Sequence, residues 1–226
     1  MAGISGPDIV DNGLILALDA ANRNSYRIGS SNWFDVTGTN ITGSLKSNPP
    51  YSSSYAGGIA LNGSTNYIDI NSTNIVTSTN PFTVECCYNR NPSGVPGRLF
   101  GNAGTGYTGD YLSINTNGVT IGTSLSMITL IEPSAGPHYV CVTRSDTSVV
   151  AYRDGTSWLS GTITGKTGGT IQVGANFRVG STTNSAGGIG SSLFAGQILS
   201  LKIYNRAITA SEMVQNFNAI KGRLNL

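Results

Sequence analysis

Short apolar runs, each closed by Gly, Asn, Ser or Asp, recur along almost the whole chain, and few folds can be built from such pieces. They include "LILALDA" (14–20), "GIALNG" (58–63), "YIDI" (67–70), "FTVECCY" (82–88), "RLFGN" (98–102), "YLSIN" (111–115) and "GVTIG" (118–122). Further along come "HYVCVTR" (138–144), "SVVAYRDG" (148–155), "SWLSGTI" (157–163), "FRVGS" (177–181) and "GQILSLKIYN" (196–205). Several alternate with a period of two. Phe82, Val84 and Cys86 share one face of a strand, as do Tyr139, Cys141 and Thr143. Many short strands between turn signals describe an antiparallel sandwich or jelly roll. "RDGT" (153–156) adds a hairpin signal, because Asp-Gly supplies the positive-φ positions of a tight turn.

Composition supports this reading. Only 11% of the 226 residues are charged, less than half of the roughly 25% usual in globular domains. The polar surface is therefore made of Ser, Thr, Asn and Gly, which suit turns and exposed strands better than helices. One helix is nevertheless expected at the C-terminal end. "TASEMVQNFNAIKG" (209–222) opens with a T-x-x-E capping box, Thr209 to Glu212, carries Met213, Phe217 and Ile220 at helical spacing, and offers Gly222 as its terminator. No linker or internal repeat divides the chain. The expected organisation is an N-terminal arm, 1–11, followed by one domain, 12–226.

The same features narrow the function. A formal net charge of +2, spread along the chain, is no footprint for nucleic acid or a membrane surface. No apolar run approaches the ~20 residues of a membrane span. "MAGISGPDIVDNG" has neither the basic start nor the apolar core of a secretion signal, so synthesis and retention in a cytoplasm are expected. Cys86, Cys87 and Cys141 lack metal-ligand spacing and read as buried free thiols. Cys86 and Cys87 are adjacent on a strand and should face opposite sides of the sheet.

Six segments in order carry a family resemblance: "NGLILALDAANRNSY", "NWFDVTGTNITGSL", "GIALNGSTNYIDI", "NPFTVECCY", "GPHYVCVTRSDTSVVAYRDGT" and "FAGQILSLKIYNRAITASEMVQNFNAIKGR". The chain resembles the laminin-G-like jelly roll of the concanavalin A-like lectin/glucanase superfamily, from about Asn12 to Arg223. Within it, the chain is similar to the versions found in virion proteins of tailed bacteriophages, cyanophages included. The resemblance implies an all-β fold: a two-sheet antiparallel jelly-roll sandwich with one short C-terminal helix. It departs from the family at Leu199-Ser200, where an acidic residue is frequent, and at Cys87, where tryptophan is common. It also implies that the segment after the first strand folds back across one end of the sandwich. Asp19, Asn22, Asn24 and Tyr26 would hydrogen-bond that loop to itself, Trp33 would plug it against the core, and Asp35 would cap the next turn.

The superfamily contains glycoside hydrolases, whose paired carboxyl groups stand about 5–10 Å apart. None of the acids of this chain is two positions from another, so the arrangement on alternate residues of one strand is missing, and no enzyme is expected. His138, the single histidine, reads as a packing residue at a strand start. Calcium is the one cofactor the resemblance raises; no short segment gathers two or three carboxylates for it. For a glycan, Tyr107, Asp110 and Tyr111 on one loop and Trp158 after the hairpin supply aromatic rings and a polar partner. Two functions follow from the resemblance. The first is a structural protein of the virion surface, a capsid decoration or cement protein contacting capsid subunits, with a homo-trimer drawn from analogy. The alternative is a host-recognition module of a tail, neck or head fibre that binds a host-surface glycan.

Overall fold

Strand alternation distributes the apolar side chains onto two stacked sheets, and the C-terminal helix roofs one of them. The computed structural model describes residues 8–72, 75–77, 80–92, 97–103, 111–121, 125–128, 134–163, 177–181 and 193–226. In chain order the strands are β1 (Leu14–Asp19), β2 (Asn32–Phe34), β3 (Thr42–Lys46), β4 (Tyr51–Ser52), β5 (Gly58–Asn62), β6 (Tyr67–Ile70), β7 (Phe82–Arg90) and β8 (Arg98–Ala103). They continue with β9 (Tyr111–Asn115), β10 (Gly118–Ile121), β11 (Leu125–Ile128), β12 (Gly136–Ser145), β13 (Ser148–Arg153), β14 (Thr156–Thr162), β15 (Arg178–Val179) and β16 (Ala195–Tyr204). Helix α1 spans Ala210–Leu224.

Among the described residues each sheet has eight strands. The first runs β14-β13-β12-β7-β16-β5-β4, with β1 also paired to β16; the second runs β11-β10-β9-β8-β15-β6-β3-β2. All the ladders between them are antiparallel. Inward-facing residues of the two sheets meet in one core: Leu16 and Leu18 of β1, Phe82, Val84 and Cys86 of β7, Ile68 and Ile70 of β6, Phe100 of β8 and Ile114 of β9. Burying each large aliphatic or aromatic side chain contributes about 1.5–3 kcal/mol, so this layer dominates stability.

β7 and β12 lie mid-sheet and are buried on both faces. Their opposite parity explains how: Cys87, Tyr139 and Cys141, with Leu199 and Tyr204 of β16, pack against Met213 and Leu224 of α1 on the far side of the first sheet. Cys86 and Cys87 thus face opposite layers, and all three cysteines are buried and free. Burial raises each thiol above its ordinary pKa, Cys87 to about 11 despite the nearby Lys202.

The helix starts where the sequence places it. Thr209 Oγ1 accepts from the Glu212 amide (3.2 Å) and Glu212 Oε2 accepts from the Thr209 amide (2.7 Å), a reciprocal capping box. Arg206 holds both carboxylate oxygens of Glu212, at 2.9 and 2.6 Å, and with the Thr209 contacts draws this acid down to about 2. The end differs from expectation. α1 continues through Gly222, and Asn225, at φ 58°, supplies the left-handed residue that closes it. Asn tolerates this conformation better than other non-glycine residues. At the "RDGT" hairpin, Asp154 and Gly155 do adopt positive φ, 48° and 81°. No helix among the described residues is long and apolar enough to cross a membrane.

Candidate functional site

β1 leaves the core at Asp19 and runs into a loop held by its own short polar side chains. Asp19 Oδ1 accepts from the Ala21 amide (2.9 Å) and Asn22 Oδ1 from the Asn24 amide (2.9 Å). The Asn22 carbonyl takes both the Ser25 and Tyr26 amides, at 2.9 and 2.8 Å. Ser25, fully buried, accepts from the Asp19 amide (3.0 Å) and donates to the Phe34 carbonyl (2.5 Å), tying the loop to β2. Trp33 is fully buried in the inter-sheet core beneath it. Asp35 closes the next turn by accepting from the Ala17 amide, the Thr37 hydroxyl, and both amide and hydroxyl of Thr39. Burial works against its charge, but these donors outweigh it and hold the carboxyl below its ordinary pKa.

The outward side of the loop is a cleft. The Tyr26 and Tyr51 rings stack with centroids 5.8 Å apart and planes 16° from parallel. Burial raises the Tyr26 phenol above its ordinary pKa, and this hydroxyl donates to the Ser30 carbonyl at 3.3 Å. Two lobes flank the pair and share Tyr26, Ile28 and Tyr51. One, of about 410 Å³, is lined by Ser30, Ser31, Leu45, Asn48, Pro49 and Pro50. The other, of about 580 Å³, is lined by Ala20, Ala21, Arg23, Asn24 and Arg27. Both sizes fall in the ~300–1,000 Å³ range of small-ligand pockets. Ile28 stands on the shared rim at 76% exposure. Tyr51 is delivered there by the stiff Pro49-Pro50 segment and a close turn. A Cβ on Gly57 (φ 140°) would lie 2.6 Å from the Tyr51 hydroxyl and 2.9 Å from the Ala20 carbonyl. Arg223 of α1 braces the same turn, donating to the Tyr55 and Gly57 carbonyls and to Asp19 (2.6–2.7 Å).

Of the residues singled out for a glycan, those described, Tyr111 and Trp158, do not line this cleft. Tyr107 and Asp110 are outside the described residues. The Tyr111 backbone pairs with Ala103 at the start of β9. Trp158 is half-buried on β14, at the opposite edge of the first sheet from β4 and Tyr51. The Arg153 guanidinium lies 3.5 Å from its ring centroid, so one face of the indole is covered by the chain's own cation. Tyr51, Arg23, Arg27 and Ile28 escaped the sequence reading because nothing local marks them; only the fold brings residue 51 against residue 26.

Elsewhere the described ionisable groups are largely committed to the scaffold. Asp69 holds Arg178 at 2.6 Å, Asp19 holds Arg223 at 2.7 Å, and Glu212 holds Arg206. His138 places Nδ1 2.8 Å from Asp154 and Nε2 3.0 Å from the Ser134 carbonyl. Beneath α1, Glu85 accepts from the Tyr139 hydroxyl and the Asn216 amide (both 2.7 Å) and pairs with Lys202 at 3.3 Å. Glu132 lies outside the described residues. Among the described residues, no three His, Cys, Asp or Glu side chains gather as a ligand set for a metal ion.

Comparison with known proteins places this architecture. The family model described as "Concanavalin A-like lectin/glucanases superfamily" matches residues 62–213. No protein in a search of those with curated descriptions matches the sequence. Among solved structures, domain 4 of AbnA, a GH43 extracellular arabinanase from Geobacillus stearothermophilus solved with arabinotriose, superposes with TM-score 0.68 and 17% identity, covering 90% of this chain and 97% of that domain. The binding domain of Paraclostridial Mosquitocidal Protein 1 gives TM-score 0.63 at 15% identity, and that of botulinum neurotoxin serotype D/C gives 0.65 at 13%. The chain covers 92% of itself but about half, 52%, of each of those two. At such identities the likeness is one of fold. By its family match and its two-sheet jelly-roll sandwich, the chain belongs to the laminin-G-like branch of the concanavalin A-like lectin/glucanase superfamily.

Proposed function

We propose that this chain is a non-catalytic carbohydrate-binding module and that the saccharide lies in the cleft on either side of the Tyr26–Tyr51 pair. The observation that carries this reading is the lining itself. The half-buried Tyr51 ring, backed by the buried Tyr26, meets Asn, Ser and Arg donors, which is what a sugar's apolar face and hydroxyls require. Neither lobe contains a carboxylate, imidazole or thiol among its lining residues, so hydrolysis through a carboxyl pair has no agent there. The complex of the AbnA domain with arabinotriose adds that a domain of this fold, almost wholly covered by this chain, accommodates a saccharide.

Fluorescence or calorimetric titration with oligosaccharides tests the reading. Tyr51→Ala is expected to weaken binding roughly five- to tenfold, the worth of an aromatic face, with Trp158→Ala within twofold of the parent. Both variants are checked for an unchanged melting transition. The reverse dependence moves the site to the Trp158 edge of the first sheet and overturns the cleft.

A second reading, a capsid decoration protein on the virion surface, is favoured by exposed apolar residues beside the β2 edge. Phe34 is 40% and Val36 43% exposed, as suits a surface that packs by shape against capsid subunits or copies of itself. The virion setting, cytoplasmic synthesis in the host, the trimer and a host-surface glycan all belong to the phage resemblance. Immunogold labelling of purified phage particles with antibody to this chain is expected to decorate capsids in this reading. Label confined to tail or fibre tips favours host recognition instead, and unlabelled particles overturn the virion setting.

A further inference from the structure

We infer that the ligand of this cleft is an acidic saccharide, its anionic group held by Arg23 and Arg27; this rests on the carbohydrate reading above and adds the charge of the ligand. What marks these two is that they line the cleft without a carboxylate partner among the described residues. Lys46, Arg178, Lys202, Arg206 and Arg223 each face a carboxylate of the chain within 4.0 Å. Arg23 and Arg27 face none among the described residues, although both line the larger lobe and no acid shares either lining. Both guanidinium groups are exposed, and no carboxylate among the described residues neutralises them.

Their presentation is rigid. The Asn22 carbonyl, which takes two amides, the buried Ser25 and the Ser30 amide bonded to the Arg27 carbonyl (2.9 Å) hold the backbone from which both side chains project. A prearranged loop loses little further entropy on binding. The guanidinium fork matches a carboxylate through two parallel N–H donors, and Asn24 stands beside it for a hydroxyl. The two lobes then divide the ligand. An uncharged ring sits among Ser30, Asn48 and Pro50 against Tyr51, and the neighbouring acidic ring enters the arginine lobe past Ile28. The class implied is an oligosaccharide with an acidic residue next to a neutral or acetylated one.

The test is calorimetric titration of the full chain and of Arg23→Gln, Arg27→Gln and the double variant. Three probes are used: an oligogalacturonate carrying carboxylates, a heparin oligosaccharide carrying sulfates, and arabinotriose carrying no charge. At about 20 mM salt, where exposed charges are weakly screened, an acidic probe is expected to bind at least roughly tenfold more tightly than the neutral one. Each single variant should lose about three- to tenfold of the acidic affinity. The double variant should lose the preference itself, binding the acidic and neutral probes alike. Tighter oligogalacturonate binding assigns the anion as carboxylate and tighter heparin binding as sulfate, either one supporting the inference when the double variant abolishes it. Equal binding of neutral and acidic probes, or acidic binding that survives the double substitution, overturns the acidic ligand and leaves the carbohydrate module standing. Failure of every probe, with Tyr51→Ala and the parent indistinguishable, overturns both.

Discussion

Replacing Lys202 by Met is expected to destabilise the protein by about 3–5 kcal/mol, the cost of breaking one side of a buried ion pair. The loss comes from what remains. Glu85 is 1% exposed beneath α1, and without the ammonium its carboxylate keeps only the Tyr139 hydroxyl and the Asn216 amide as donors. Those two satisfy hydrogen bonds but carry no compensating charge. Adding Glu85→Gln to Lys202→Met removes the stranded charge and is expected to recover most of the loss, which distinguishes electrostatics from lost packing. The pH dependence has a definite sign. Burial opposes the Lys202 charge, but Glu85 outweighs it and raises the ammonium above its ordinary pKa. A cation raised on folding contributes fully below its unfolded value, about 10.4, and loses that contribution as pH rises through the folded one. The gap between parent and Lys202→Met should therefore be widest at neutral pH and narrow in strong alkali. Urea melts across that range measure it, and a neutral-pH loss under about 1 kcal/mol would show that water reaches the pair.

This network also marks the limit of what the sequence made legible. Alternation in "FTVECCY" and "HYVCVTR" separated an inner from an outer face, and the capping box placed the start of α1, because both signals are local and periodic. Period alone could not say that the outer face is covered, since Glu85 reads as a solvent residue until α1 is docked over it. Asn216, buried between Glu85 and the Val10 amide, gave no signal in a helix otherwise read from Met213, Phe217 and Ile220. β2, β3 and β4 are short and lack an alternating apolar run, so they emerged only through pairing with longer neighbours. The cleft illustrates the same limit. Tyr26 was read as a loop residue from its polar surroundings, but its stacking partner is 25 positions away on β4. Long-range pairing of this kind leaves no spacing to read.

Trp33 is fully buried between the sheets, and replacing it by Ala should cost about 3–5 kcal/mol, the usual loss for a buried aromatic truncated to a methyl group. The site is too tightly framed to collapse. Trp33 pairs with Gly43 across β2 and β3, and a Cβ on Gly43 would already lie 2.8 Å from Ile68 Cγ2. The indole N–H is buried with no acceptor among the described residues, so part of what tryptophan gains in apolar burial is offset by an unmade hydrogen bond. Trp33→Phe keeps most of the ring and removes that donor. The void it leaves is smaller than that of alanine, so it should cost clearly less than Trp33→Ala. The alanine variant should also disturb function. Phe34, the next residue, exchanges bonds with Ser25 through its amide (2.7 Å) and carbonyl (2.5 Å), so movement of β2 reaches the loop carrying Arg23, Tyr26 and Arg27. Saccharide affinity in Trp33→Ala should fall even where the protein remains folded, whereas Trp33→Phe should bind like the parent. Denaturation curves and titrations on the same three proteins test this coupling. Equal affinity in a destabilised Trp33→Ala would mean that the loop's own hydrogen bonds, rather than the core beneath it, set the shape of the cleft.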